Sequence, residues 1–301
     1  MDAALGITVR WALVADLMLL FGVPLFSSYS IAPIKALLPL RPMVITVALA
    51  GLLLSALGIT ILAATMSGVP LAATDPTTVA MLVTGTTIGM AFKVRAVALL
   101  LALALGLFGR ADTASRITIT VCGGVALTTL AWSGHGVMND GRTGIVHLVA
   151  DIIHLLAAGI WVGALAALAW LLLQQKAAIG ILHAALAGFA SIGSATVAII
   201  LASGTINSWL LVGPAKMLAL ENSLYGRLLL LKLALFTMML SLAARNRFRL
   251  TPALAKAATP LNARQTTRAL QYSIGTELVC AIAILGLVAW LGTLEPPVSM
   301  P

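Results

Sequence analysis

The chain is a succession of apolar stretches, most of them close to 20 residues long, separated by short polar breaks. About 20 residues of α-helix rise ~30 Å, the thickness of a bilayer's hydrocarbon core. A helix also satisfies its own backbone N–H and C=O groups, which lipid cannot do for it. A membrane barrel would read instead as short alternating segments. The expected fold is therefore all-α, a polytopic bundle of eight transmembrane helices near 7–26, 43–64, 93–108, 117–133, 145–173, 184–212, 227–244 and 272–291. The stretch 76–92 is mildly apolar and rich in Thr and Gly, and either extends the third helix or lies along the membrane surface. Residues 1–301 read as one transmembrane domain with no soluble domain attached.

Composition agrees: 61% of residues are hydrophobic and 9% charged, unlike a soluble domain. The net charge of +9 is not a nucleic-acid footprint, because it sits in the loops and obeys the positive-inside bias. With both termini outward, eleven basic residues fall in inner loops and three (Arg142, Lys216 and Arg227) in outer ones. The expected topology is N-out and C-out, with the loop 245–271 cytoplasmic. Cys122 and Cys280 stand singly inside apolar stretches, so neither a disulfide framework nor a zinc site is indicated. No basic segment precedes the first apolar stretch, so no cleavable signal is expected.

Ionisable residues inside such spans are costly and usually face a partner, a bundle interior or a watery cavity. Here they are Asp16, Asp151, His154, Lys232 and Glu277, with Arg95 and His147 near span ends. Three of them share the stretch "GIVHLVADIIHLLAAGIWVG". At 1.5 Å per residue, His147 lies at the outer interface, Asp151 about 9 Å in, and His154 near the midplane. Lys232 falls at the depth of Asp151, Asp16 at that of His154, and Glu277 nearer the cytoplasm. The spacing i, i+4, i+7 puts His147, Asp151 and His154 on one helical face, and Trp161 stays on that side. Gly159 and Gly163 form a small-xxx-small pair on the far side, suited to close helix packing.

Two imidazoles and a carboxylate facing one groove can bind a metal. The outer loop "SGHGVM" adds His135 and Met138, and Met66, Met81, Met90 and Met217 fall at the outer face. Thioether with imidazole favours copper, Cu(I) above all. Simpler roles compete: methionines that only pack, a structural Asp151–Lys232 ion pair, and a His154 hydrogen-bonded to another helix, for example at Asp16. A bis-His haem needs two histidines on facing helices, whereas His147 and His154 share one helix and one face. A membrane redox protein with haem b on a single His, or with redox-active copper and quinone, stays as the alternative. A scaffold whose buried charges only fix helix packing is a third reading. No P-loop or aspartyl-phosphate motif points to an ATP-driven pump.

"SGHG" at 133–136, "HLVADIIHLLAAGIWVG" at 147–163, "YGRLLLLKLALF" at 225–236, "NRFRLTP" at 246–252 and "GMAFKVRAVALLL" at 89–101 resemble the CopD family of bacterial copper-resistance membrane proteins, PcoD being a relative. The resemblance covers roughly residues 77–292. It implies copper import or transfer at the bacterial inner membrane, with copper as cargo and a CopC-type periplasmic carrier as partner. It implies a copper role for His135, His147, Asp151 and His154, and it matches Arg95, Lys232 and Glu277 without assigning them a role. Together these readings predict a transporter or metal-binding membrane protein rather than an enzyme.

Overall fold

The computed structural model describes residues 2–133, 141–174, 178–213, 220–295 and 297–299. Among them there is no strand, and eight helices are long and apolar enough to cross a membrane. The elements are α1 (Asp2–Tyr29), α2 (Ala32–Leu37), α3 (Leu40–Ser67), α4 (Pro76–Gly85), α5 (Thr87–Phe108), α6 (Thr113–Thr128), α7 (Gly141–Leu173), α8 (Ile179–Val212), α9 (Leu224–Arg245), α10 (Thr251–Ala255) and α11 (Pro260–Leu291). A 3-10 turn, Thr129–Ser133, follows α6, and a π-helical turn, Asn246–Leu250, joins α9 to α10.

Side-chain caps set where the helices begin. Asp75, Thr86, Asp112, Ser223 and Thr259 each accept a hydrogen bond from a backbone N–H in the first turn of the following helix. Pro76 and Pro260 occupy the first positions of α4 and α11, where no N–H is needed. The cap bonds, first of all those from the backbone N–H groups of Thr77 and Ser115, hold the Asp75 and Asp112 carboxyls below the usual carboxylate range.

Two segments differ from the expectations above. The stretch 76–92 is divided at the Thr86 cap: α4 is a helix of its own, and 87–92 is the first turn and a half of α5. The two helices cross so closely at Gly89 that a Cβ there would run into the Leu82 carbonyl. The loop 245–271 is mostly helical, with only 256–259 outside the helices. Its Arg, Ala, Leu and Gln residues are good helix formers, so α9 and α11 continue beyond their apolar portions.

α1 is the centre of the bundle, packed against α3, α6, α7 and α11. α5 packs on α3 and α6, α7 on α8 and α11, and α9 on α11. The α1–α7 contact is backbone against backbone, since a Cβ on Gly163 would run into Gly22. A Cβ on Gly159 would lie 2.8 Å from Leu127 and 2.9 Å from the Phe21 ring. Trp11 Nε1 donates to Ile282 O at 3.0 Å, and Gln271 Nε2 donates to Leu172 O at 2.7 Å. These bonds run α11 antiparallel to α7 and put Glu277 toward the C-terminal half of α7. Arg41 of α3 closes the C-terminus of α5 by donating to Gly106 O at 2.8 Å and to Leu107 O.

Candidate functional site

α7 carries the polar groups that an apolar helix has least reason to hold. His147 is 2% exposed, and Asp151 and His154 are half-buried. Lys232 of α9 and Arg10 of α1 both act electrostatically on Asp151. Lys232 also acts on His154. Arg10 Nη1 further donates to Gly292 O at 3.2 Å. The Asp151 carboxylate on α7 is thus attracted by one cation from α9 and one from α1.

His154 meets α8. Its Nδ1 lies 3.0 Å from Ser203 Oγ. The Ser203 hydroxyl also lies 2.6 Å from Ile199 O, a carbonyl that can only accept. Donating to that carbonyl, the hydroxyl accepts from His154 Nδ1–H; turned to the imidazole, it donates to Nδ1 instead. In the first arrangement Nε2 has the free lone pair, which is the state required of a metal ligand or proton acceptor. Asp16, weighed above as a partner of His154, is turned instead toward Gly51 of α3, and its Oδ2 is buried without a hydrogen-bond partner. Arg95 is also buried on the N-terminal side, with Nε donating to Thr129 Oγ1 at 2.8 Å.

Among the described residues no three of His, Cys, Asp and Glu gather around one point. His147, Asp151 and His154 are strung along α7, about 10 Å from first to last. His135 and Met138 lie outside the described residues, so their relation to His147 is not part of this geometry.

Two turns beyond His154, Trp161 packs edge-to-face on Phe189 of α8, with ring centroids 5.8 Å apart. Both rings line a cavity of about 290 Å³ at the far end of the stripe, which also reaches Glu277. There Asn246 Nδ2 donates to Glu277 Oε1 at 2.5 Å. The sequence places Asn246 in a cytoplasmic loop and Arg10 only as a basic residue in or at the end of a span, and it singles out neither Ser203 nor Asn207. Asn207 stands one helical turn after Ser203 and has a buried Oδ1 without a hydrogen-bond partner. Arg10, an arginine in the first apolar stretch, carried a visible signal; a serine or asparagine in a membrane helix carries little.

Residues 1–145 match the family described as copper resistance protein D-like, N-terminal domain, and residues 183–291 match that described as copper resistance protein D. A copper resistance protein D from Pseudomonas syringae pv. tomato is 42% identical over 98% of both chains. The chain belongs to the copper resistance protein D family. An inner membrane protein of Escherichia coli K12, YebZ, is 33% identical over 56% of this chain and 55% of its own length. No solved structure matches. The family thus extends over the whole chain, beyond the segment 77–292 that carries the resemblance in sequence. In this copper resistance protein D family member, the stripe from His147 to Trp161 lies between the two matched segments.

Proposed function

We propose that this multi-pass membrane protein conducts copper from the outer face of the bacterial inner membrane into the bundle along α7. Membership of the copper resistance protein D family ties the chain to copper resistance and handling. With both termini outward, copper is delivered by a CopC-type carrier, captured near His135 and Met138, and passed to His147 and then His154. Asp151 offsets the charge of the ion, and Lys232 and Arg10 offset the charge of Asp151 when the path is empty.

The observation that carries this reading is the Ser203 contact. A Ser203 hydroxyl that donates to Ile199 O accepts from His154 Nδ1–H and leaves Nε2 its lone pair. Outer partners of this kind fix the tautomer of metal-binding histidines. Spreading the ligands along a helix instead of gathering them suits passage, which needs successive weak sites rather than one deep one.

The test is copper binding to purified protein in detergent. Wild-type protein is expected to bind copper with an affinity that falls as pH drops, because a protonated imidazole cannot ligate. The His147→Ala, His154→Ala double variant is expected to lose that binding. Unchanged stoichiometry in the double variant would remove the reading.

A further inference from the structure

The cavity beyond Trp161 holds polar groups that the copper path does not use. Its walls are apolar: Leu165, Leu168, Phe189, Leu240, Phe248 and Ile274 among them. Three polar side chains with little or no exposure also line it. Trp161 is 5% exposed, Asn246 7% and Glu277 2%. The Trp161 indole N–H has no hydrogen-bond partner, and neither has Asn246 Oδ1. Buried groups of this kind usually have a partner. One is a donor and the other an acceptor, so a ligand that satisfies both must carry an accepting oxygen and a donating hydroxyl.

The cavity has a side entrance. α8 packs along α7 and meets the α9 side through the π-helical turn and α10. Ala190 and Ser194 of α8 face Ala244, Arg247 and Phe248 across the mouth, and Ser194, Ala244 and Phe248 are exposed. Arg247 bridges the rim by donating to Ala190 O and to Ser194 Oγ. Because its guanidinium is engaged there, and because Glu277 lines the interior, an anionic phosphate head group is poorly served. A volume of about 290 Å³ lies at the lower bound of ~300 Å³ for ligand pockets. It admits one substituted ring and not a macrocycle.

We infer that this cavity binds the head group of a membrane quinol, with the Trp161 N–H donating to one of its oxygens and Asn246 Oδ1 accepting from the hydroxyl at the other. Phe189 and Phe248 flank the ring, and the apolar tail leaves between α8 and α9 into lipid. The site is independent of the copper path, since none of its polar contacts involves His147, Asp151 or His154.

The test is equilibrium binding of decyl-ubiquinol, kept reduced under anaerobic conditions, to the protein in quinone-free nanodiscs, with empty discs subtracted. One saturable site per chain is expected. Asn246→Leu is expected to weaken it by about tenfold to a hundredfold, the loss of one buried hydrogen bond. Ala244→Trp, at the exposed rim, is expected to close the entrance and abolish binding while copper binding persists. His154→Ala is expected to leave quinol binding unchanged, so failure of the copper reading and failure of this one are distinguishable. Uptake no greater than in empty discs, as for a cavity filled only by water or acyl chain, would overturn the inference, and so would equal binding by Ala244→Trp.

Discussion

His154 Nδ1 and Ser203 Oγ stand 3.0 Å apart, linking α7 to α8 in the interior of the bundle. Removing the hydroxyl leaves the imidazole in place but frees its tautomer. Ser203→Ala is therefore expected to lower copper affinity about 10–100-fold, the usual effect of losing an outer partner of a ligating histidine. Competition titration with a copper chelator measures it. An unchanged affinity would mean that His154 does not ligate.

Gly163 faces Gly22 with no room between them. Gly163→Leu is expected to force α1 from α7 and destabilise the fold by about 3 kcal/mol, the upper end of the usual overpacking cost. Gly188, on α8, has open space around it. Gly188→Leu is expected to stay within about 0.5 kcal/mol of wild type. Thermal unfolding in detergent compares the two.

Asn246 and Glu277, 31 residues apart, share a buried hydrogen bond of 2.5 Å. In Asn246→Leu the Glu277 carboxyl loses this partner, at a cost of about 1–3 kcal/mol. Replacing both groups, Asn246→Leu with Glu277→Met, is expected to recover most of that loss, because an apolar pair leaves nothing unsatisfied. A double variant less stable than the single one would contradict this.

Asp112 caps α6 through the Ser115 N–H, at 2.8 Å. That bond keeps its carboxyl below the usual range. A carboxyl whose folded value is depressed contributes stability above its unfolded value, near 3.9. The contribution is lost as pH falls through the folded value. The α6 N-terminus is therefore expected to fray only in acid, and the Asp112 carboxyl to titrate below about 3.9 when followed by NMR. A midpoint at or above that value would mean that the cap is absent.

Position along a helix is legible in the sequence and azimuth is not. Each residue adds a fixed rise to a helix, so the heights of Asp151, His154 and Lys232 follow from counting. Lys232 indeed acts on both Asp151 and His154. Asp16 counts to the height of His154, yet it faces α3 while His154 faces α8. Which way a helix turns depends on the fit of its small residues to its neighbours, and Gly22 and Gly163 belong to segments about 140 residues apart.

The amino-acid sequence alone determined the eight helices, because apolar length and backbone self-satisfaction in lipid leave no other structure. It also determined that α7 carries a carboxylate between two imidazoles on one face. Only the tertiary structure decided what meets that face: Ser203 from α8, Lys232 from α9 and Arg10 from α1. It also decided the lower cavity. A π-helical turn takes more residues per turn than an α-helix, and this shift of phase brings Asn246 inward to Glu277 while its neighbours Arg245 and Arg247 remain exposed. Such pairings depend on how all the helices pack together, and no periodicity within one of them encodes the result.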